Sequence, residues 1–488
     1  MQYLSLFFLI FVVCTFLVYN ILPTRNRWLV LLCASLFFYL NFDVRYVFFL
    51  LFVAVSTYLS ARTGRNQKKN KENMIICIIA NVGVWLALKA LPWAGNFLNV
   101  IGGRLFDWPE LQIPKIIAPI GISYYVLLAI SYLVDVHQKK IKPEKSFLKY
   151  LLYLSYFPTI VQGPISKYEE LRDSLTAGKR VRYEEIRKYA LLILIGLTKK
   201  MVIADRIAIF ANYCFANYAD LEGIVLYAGA VSYSIQLYMD FSGCVDICRG
   251  VSGIFGIDLI DNFKGPYFSK SIKEFWGKWH ISFSRWLKDY IYIPLGGNRK
   301  GKIKKYRNLL ITFFVSGVWH GISLNYFVWG MLQGIYQIVG ECTYGIRERI
   351  KKNLRIQPHS FSDKLYSVII TFNLTTFAWI FFRSGRLLNA IEYIRRMFQS
   401  IQLWRILDGS VFINNFRFEQ FVIMSLNVII IFIIDYLKAK KDVSIELAIV
   451  KTHVILRWFI YLLLVYNIIL FGVYGKGYDM SAFLYGGF

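Results

Sequence analysis

The sequence has 488 residues, 57% of them apolar and 18% aromatic, with a formal net charge of +27. The apolar side chains collect in long runs instead of alternating with charge over short windows, which identifies a polytopic membrane protein. The surplus of lysine and arginine does not signal nucleic acid, because these residues sit in short loops between apolar runs, as the positive-inside pattern requires.

In chain order, the apolar runs predict spans at 3–20, 28–41, 45–60, 74–92, 115–135, 147–162, 189–210, 224–241, 308–340, 366–382, 419–436 and 455–474. A span of about 20 residues, rising about 1.5 Å each, crosses a hydrocarbon layer about 30 Å thick. The first run has no basic segment before it and no small-residue cleavage site after it, so it reads as a retained helix. Basic clusters punctuate the runs: five lysines and arginines from Arg62 to Lys71, four from Lys139 to Lys145, six from Arg299 to Arg307 and five from Arg347 to Arg355. These loops are placed in the cytoplasm, against anionic headgroups. With the loops so fixed, the N-terminus falls outside, and Asp220 and Glu222 belong to an outer loop.

Two runs do not fit simple crossings. The run 147–162 holds Pro158 between two basic loops and reads as a re-entrant or tilted piece. The run 308–340 is too long for one straight helix and begins and ends beside basic loops, which calls for a break near His320, Gly321, Ile322 and Ser323. Non-helical backbone at membrane depth is tolerated only where protein buries it or it lines a cavity. A histidine there is costly and, with an ordinary pKa of about 6.5, well suited to accept a proton, so His320 is the first candidate for chemistry; a packed, hydrogen-bonded histidine is the plain alternative.

Residues 271–293 have a different character. Ile272, Phe275, Trp276, Trp279, Phe283, Trp286, Leu287 and Tyr290 recur at helical spacing while Lys273, Lys278, Arg285 and Lys288 intervene, the pattern of an amphipathic interfacial helix. His280 falls on its apolar face. Pro294 with Gly296 and Gly297 ends the helix in a turn. Asp240, Ser242 and Asp246 are polar groups in an apolar stretch, which either line a cavity or are satisfied by neighbouring helices. The seven cysteines include no CxxC pair, so neither a disulfide framework nor a metal site is expected; Cys244 and Cys248 share one helix face as small hydrophobes. No repeat, low-complexity segment or soluble domain is evident, so residues 1–488 read as a single membrane-embedded domain with a motif-rich core at 238–340.

Several unusual strings occur in one order: Pro119-Ile120-Gly121-Ile122-Ser123-Tyr124, Gln162-Gly163-Pro164, Lys199-Lys200 with Ala204-Asp205-Arg206, and Tyr238-Met239-Asp240-Phe241-Ser242-Gly243. Asn262-Phe263, Pro266-Tyr267, Glu274-Phe275-Trp276, Trp279-His280-Ile281-Ser282, the run Asp289 to Arg299, and Gly317-Val318-Trp319-His320-Gly321 follow. On these strings the chain resembles the membrane-bound O-acyltransferase family, in the branch containing alginate O-acetylases, over about residues 5–480. The resemblance implies an all-α bundle of about eleven transmembrane helices, with re-entrant and interfacial helices around a tunnel. It also implies His320 as the catalytic histidine and His280 as a second functional position. Trp319, Gly321, Asp240, Ser242, Trp279, Tyr290 and Arg285 are candidates for the tunnel or donor site. One departure stands out: Leu324 occupies the place, three residues after Gly321, where the family pattern suggests tryptophan.

The implied chemistry is transfer of an acyl group, most simply acetyl, from a cytoplasmic thioester such as acetyl-CoA to hydroxyls of an extracytoplasmic polysaccharide or to a secreted relay acetyltransferase. No cofactor is expected to stay bound. Membrane lipids, an envelope polysaccharide and an esterase-like partner, secreted or membrane-anchored, are the expected contacts, with the plasma membrane as location. D-alanyl transfer to teichoic acid is the alternative within the family. A transporter or flippase is the alternative outside it, although one broken helix without a matching half argues against that.

Overall fold

The computed structural model describes residues 3–62, 67–105, 119–358, 360–399, 402, 404, 418–441 and 444–474. Parts of the Arg62–Lys71 loop, the start of the 115–135 span, most of the interval after residue 399 up to 417, and the end of the family-like region lie outside them. Among the described residues every regular element is helical. The chain packs as two compact units, one made of Arg182 and the residues before it with Val251–Leu259, the other of Tyr183–Gly250 with Ile260 onward.

The first unit contains α1 (Leu6–Ile21), α2 (Arg27–Leu40), α3 (Val44–Arg62), α4 (Gln67–Leu105), α5 (Ile122–His137), α6 (Phe147–Ser155) and α7 (Tyr168–Ala177). Three of its buried tyrosines place their hydroxyls on partners: Tyr39 donates to the Ile120 carbonyl at 2.9 Å, Tyr19 to that of Phe255 at 3.1 Å, and Tyr150 pairs with Thr57 at 2.7 Å. The run 147–162 forms only the nine-residue α6 before it turns at Tyr156, too short to cross a membrane.

The second unit begins with α8 (Tyr183–Leu197), continues without interruption through a π-helical stretch (Thr198–Ala204) into α9 (Asp205–Ala216), and then enters α10 (Gly223–Ile254), which runs on into the first unit. α10 extends well past the predicted end at residue 241, because Val245, Ile247 and Cys248 continue the buried surface and Cys244 and Cys248 sit on it as small apolar groups. α11 (Ile272–Lys278), α12 (Ile281–Leu287), a second π-helical turn (Lys288–Tyr292), α13 (Lys302–His320), α14 (Leu324–Cys342), α15 (Tyr344–Asn353), α16 (Phe361–Arg383), α17 (Leu387–Gln399), α18 (Phe418–Lys441), α19 (Ile445–Val450) and α20 (Val454–Phe471) complete it. Among the described residues, five helical stretches are long and apolar enough to cross a membrane: Val44–Arg62, Asn70–Leu91, Phe361–Arg383, Phe418–Lys440 and Val454–Phe471. The exposed leucines, isoleucines and phenylalanines of α20, where no residue is buried, are the surface a bilayer would cover.

The predicted break in 308–340 is present: α13 ends at His320 and α14 begins at Leu324, so the run is a helical hairpin. Its two arms meet at glycines. A Cβ on Gly317 would lie 2.4 Å from the Tyr326 carbonyl oxygen, and one on Gly330 would lie 2.4 Å from that of Phe313. A correction concerns 271–293, expected as one amphipathic helix. The helix stops at Trp279, His280 takes left-handed backbone (φ 45°), and α12 starts afresh. Asn262 supplies the reason: its carbonyl accepts from the Ile281 amide at 3.0 Å and its Oδ1 from the Ser282 amide at 2.9 Å, replacing the bonds a continuous helix would make.

Buried charge pins the start of α9 to α10. Lys200 Nζ lies 2.7 Å from Asp205 and 2.5 Å from Asp240, and Lys199 Nζ 2.8 Å from Asp246. The lysines are adjacent in sequence yet both buried, which the wider π-helical turn accommodates, and α8 reaches α10 where Gly196 and Gly243 lie backbone to backbone.

Two stability tests follow from this packing. Gly330→Val should cost about 1–3 kcal/mol by overpacking the hairpin, seen as a lower unfolding temperature of the detergent-solubilised protein, whereas Gly83→Ala, with open space around its added methyl, should not lower it. Lys200→Ala should cost about 3–5 kcal/mol by leaving two carboxylates buried without their cation, and Lys200→Met combined with Asp205→Asn and Asp240→Asn should recover much of the loss in the same assay.

Candidate functional site

The hairpin determines where His320 stands. It is the last residue of α13, at a helix end and not in mid-span, and it is 3% exposed. The Gly321 amide still closes the helix by donating to the Gly317 carbonyl at 3.1 Å, after which the chain turns. The turn is tight against α14, since a Cβ on Gly321 would meet the Tyr326 ring at 2.4 Å. Aromatic rings surround the imidazole: Trp319 at 4.8 Å, Trp329 at 5.0 Å and perpendicular to it, Phe382 at 5.1 Å and Phe283 at 6.0 Å between centroids.

His280 comes to the same cluster from the break between α11 and α12. It is 1% exposed, packed edge-on against Phe241 at 4.8 Å and tilted against Phe283 at 5.1 Å. Burial pushes its pKa down to about 3, so the ring is neutral near pH 7. Left-handed backbone at a non-glycine residue is uncommon and costs energy that the surroundings must over-determine. Here the Asn262 contacts and the Ser284 amide, which donates to the His280 carbonyl at 2.9 Å, provide that constraint.

Phe283 and Trp319 connect the two histidines. Their centroids are 4.4 Å apart, and each ring also packs against both imidazoles. Two histidines 40 positions apart in sequence thus share one aromatic wall. Around it lie buried polar atoms without a hydrogen-bond partner among the described residues: Ser316 Oγ, one turn before His320; Trp329 Nε1; Gln333 Nε2; Ser242 Oγ; and Asn262 Nδ2. Each is a donor or acceptor that a polar group entering this cluster could meet. Chemically, the set offers an imidazole as proton acceptor and an indole N–H as donor, inside an aromatic lining that excludes water.

The remaining predicted residues fall into three groups. Trp319 and Gly321 are at the imidazole. Trp279 is 1% exposed and one layer back: it packs on Trp379 at 5.2 Å, which stacks on Trp329 at 5.6 Å. Asp240 is engaged with Lys200, while Ser242 lies two residues further along α10 with its hydroxyl among the unpartnered atoms. Arg285 is half-buried on α12, and Tyr290 is buried in the π-helical turn against Trp286 at 5.3 Å. Neither of these two is among the rings around His320 described above.

Two contributors escaped the sequence reading. Trp329 and Phe382 reach His320 from α14 and α16, and nothing in a linear string indicates that residues 9 and 62 positions away converge on it. The tryptophan sought at position 324 bears on this. Leu324 is 66% exposed, and it is Trp329 that presents its ring to the imidazole.

Comparison with known proteins agrees with this architecture. The family model described as MBOAT, membrane-bound O-acyltransferase family, matches residues 34–384. The peptidoglycan O-acetyltransferase of Helicobacter pylori is 34% identical over 400 residues, covering 76% of this chain and 73% of that protein. The probable alginate O-acetylase of Pseudomonas aeruginosa is 32% identical over 397 residues, covering 80% and 72%. The teichoic acid D-alanyltransferase of Bacillus subtilis is 28% identical over 297 residues, covering 57% and 73%. A polytopic all-helical chain with these relatives is a membrane-bound O-acyltransferase, and it belongs to the MBOAT family.

Proposed function

We propose that this chain transfers an acetyl group from a cytoplasmic thioester, with acetyl-CoA as the simplest donor, to hydroxyls of an envelope polysaccharide or to a secreted relay acetyltransferase, with His320 as the general base. The observation that carries the reading is the placement of His320: a buried imidazole at a helix break, walled by aromatic rings and accompanied by donors without partners. Acetyl is preferred to D-alanyl because the O-acetylating relatives match more of the chain at higher identity than the D-alanyltransferase does.

In this reading the imidazole of His320 accepts the proton of the acceptor hydroxyl as the oxygen adds to the thioester carbonyl. The C–S bond then breaks, the leaving thiolate takes up the proton from the imidazolium, and an ester and a thiol result. The Trp329 indole N–H is the donor available to the oxyanion that develops on the carbonyl. Trp319 and Phe283 keep water from competing with the acceptor hydroxyl. His280, neutral and sharing those rings, acts on His320's wall and not as a charge. The donor side is assigned to the end of α13 that carries Lys302, Lys304, Lys305 and Arg307, and the acceptor side to the hairpin turn at the other end. The basic loops and the donor face the cytoplasm of a plasma-membrane protein.

Three variants test these roles. His320→Ala should lower ester-linked acetyl on envelope polymers by about 10²-fold or more, measured by mass spectrometry after mild base release, at unchanged amounts of inserted protein. Unchanged ester content in that strain would remove His320 from the mechanism. Trp329→Phe keeps an aromatic ring, though a smaller one, and deletes the N–H; it should lower turnover about 10- to 100-fold with little change in donor KM. His280→Asn keeps a residue that tolerates left-handed backbone while removing the imidazole; about a tenfold loss of turnover is expected, and full activity would reduce His280 to a backbone role.

A further inference from the structure

The short helix α15 joins the hairpin to α16, and none of its residues is buried. Apolar bulk and positive charge are sorted along it by helical spacing. At about 100° per residue, Ile346 and Ile350 share one edge, and Leu354, which caps the helix, continues it. All three side chains are more than half exposed. Arg347 and Arg349 fall on the two flanks of that edge, and Lys352 and Arg355 add two further cations.

The side of α15 away from this edge holds it to the protein. Lys351 Nζ lies 3.0 Å from Glu348 and 2.8 Å from Asp363, in the first turn of α16. A second tie runs to the hairpin, where Arg347 Nη2 donates to the Gly340 carbonyl near the end of α14 at 2.5 Å. Among the described residues no carboxylate pairs with Arg347, Arg349, Lys352 or Arg355. The helix therefore presents an apolar edge between cations that have no acidic partner from the chain itself.

The neighbouring helices identify what covers that edge. Ile335 and Val339 of α14 are exposed, and so are Phe361, Leu365 and Ile369 of α16, whose whole length is able to cross a membrane. The edge of α15 thus continues an apolar surface suited to a bilayer, at the end of a spanning helix where headgroups begin. A soluble phosphate compound would meet the cations but has no use for Ile346, Ile350 and Leu354. A zwitterionic headgroup layer would cover the apolar edge and leave the cations without net countercharge. An anionic phospholipid surface uses both: the apolar side chains enter the acyl boundary, while the long stems of lysine and arginine carry their charges out to the phosphates.

We propose that α15 is a docking surface for anionic phospholipid, with Ile346, Ile350 and Leu354 immersed and Arg349, Lys352 and Arg355 on the headgroups. Through Arg347 and Lys351 this contact also fixes the open end of the hairpin against the start of α16. It is independent of which thioester or acceptor the enzyme uses.

The contact can be read on the full-length protein. With the exposed Cys14, Cys33 and Cys342 replaced by serine, Ile350→Cys is labelled with a polarity-sensitive fluorophore, and the protein is placed in nanodiscs of phosphatidylglycerol or of phosphatidylcholine. Emission should be blue-shifted and protected from acrylamide in phosphatidylglycerol, with the ratio of immersed to exposed probe about tenfold or more above that in phosphatidylcholine. Arg349→Gln combined with Lys352→Gln should erase the difference. Lys142→Gln combined with Lys145→Gln, at two exposed lysines of another basic loop, should leave it unchanged. Equal protection in the two lipids, or a probe open to water in both, overturns the proposal. So does a preference that survives Arg349→Gln with Lys352→Gln, or one that is lost equally in the Lys142 and Lys145 variant, which would reduce it to overall charge. Release of the probe in phosphatidylglycerol by excess coenzyme A overturns it as well, since α15 would then be a site for a soluble phosphate compound.

Discussion

The close approach of α13 and α14 at Gly317 and Gly330 is the constraint on which the site depends. Backbone meets backbone there, with no room for a methyl group on either side. That contact holds the two arms together up to the turn, and the turn can be sharp because the Tyr326 ring fills the place a side chain at Gly321 would need. His320 is therefore delivered to a fixed position at a helix end, where its ring has α14 and α16 on one side and α12 on the other. An imidazole in mid-helix would have its backbone satisfied by the helix but would reach fewer elements. The break costs helical hydrogen bonds and places the ring where several helices converge; broken backbone at membrane depth is tolerated where protein buries it or it lines a cavity.

The same principle governs His280 by a different route. No proline interrupts the helix from Ile272 onward; the interruption is imposed from outside by Asn262, whose carbonyl and side-chain oxygen capture the two amides that follow His280. A distant loop thereby selects a strained conformation at the residue whose ring must face inward. Strain at such a position is retained only if the surroundings over-determine it, and the Phe241, Phe283 and Trp319 contacts add to that determination, each aromatic pair contributing about 0.5–1.5 kcal/mol.

Much of this was legible in the sequence, because in a membrane chain hydropathy and length act locally. The apolar runs became helices, and the excessive length of 308–340 located the hairpin turn within a few residues of its observed place. His280 is buried as expected, but the spacing that placed it inward assumed one continuous helix, and it is the break at this residue that turns its ring in. What remained illegible depended on long-range pairing. The break at His280 is written in Asn262, and the tryptophan beside His320 is Trp329, because helical geometry brings that position to the imidazole while Leu324 remains exposed. Asp240 and Asp246 showed in sequence only that they needed an answer; that the answer is the Lys199-Lys200 pair is a property of the helix crossing at Gly196 and Gly243.

That lysine pair completes the physical picture. Consecutive residues on a regular α-helix point about 100° apart, so two adjacent lysines would ordinarily address different surroundings. The π-helical stretch Thr198–Ala204 widens the turn, and both ammonium groups end buried against carboxylates of α10, with Lys200 also holding Asp205 at the start of α9. Buried pairs of this kind seldom add net stability over well-packed apolar groups, but removing one partner is costly, which makes the arrangement specific. Sliding α10 by one turn against α8 and α9 would separate the lysines from their carboxylates. The register of α10 is thereby fixed, and α10 carries Phe241, the ring against which His280 packs. Charge pairing at one level of the bundle thus positions an aromatic contact at the next, and through Phe283 and Trp319 that contact is part of the wall His320 shares.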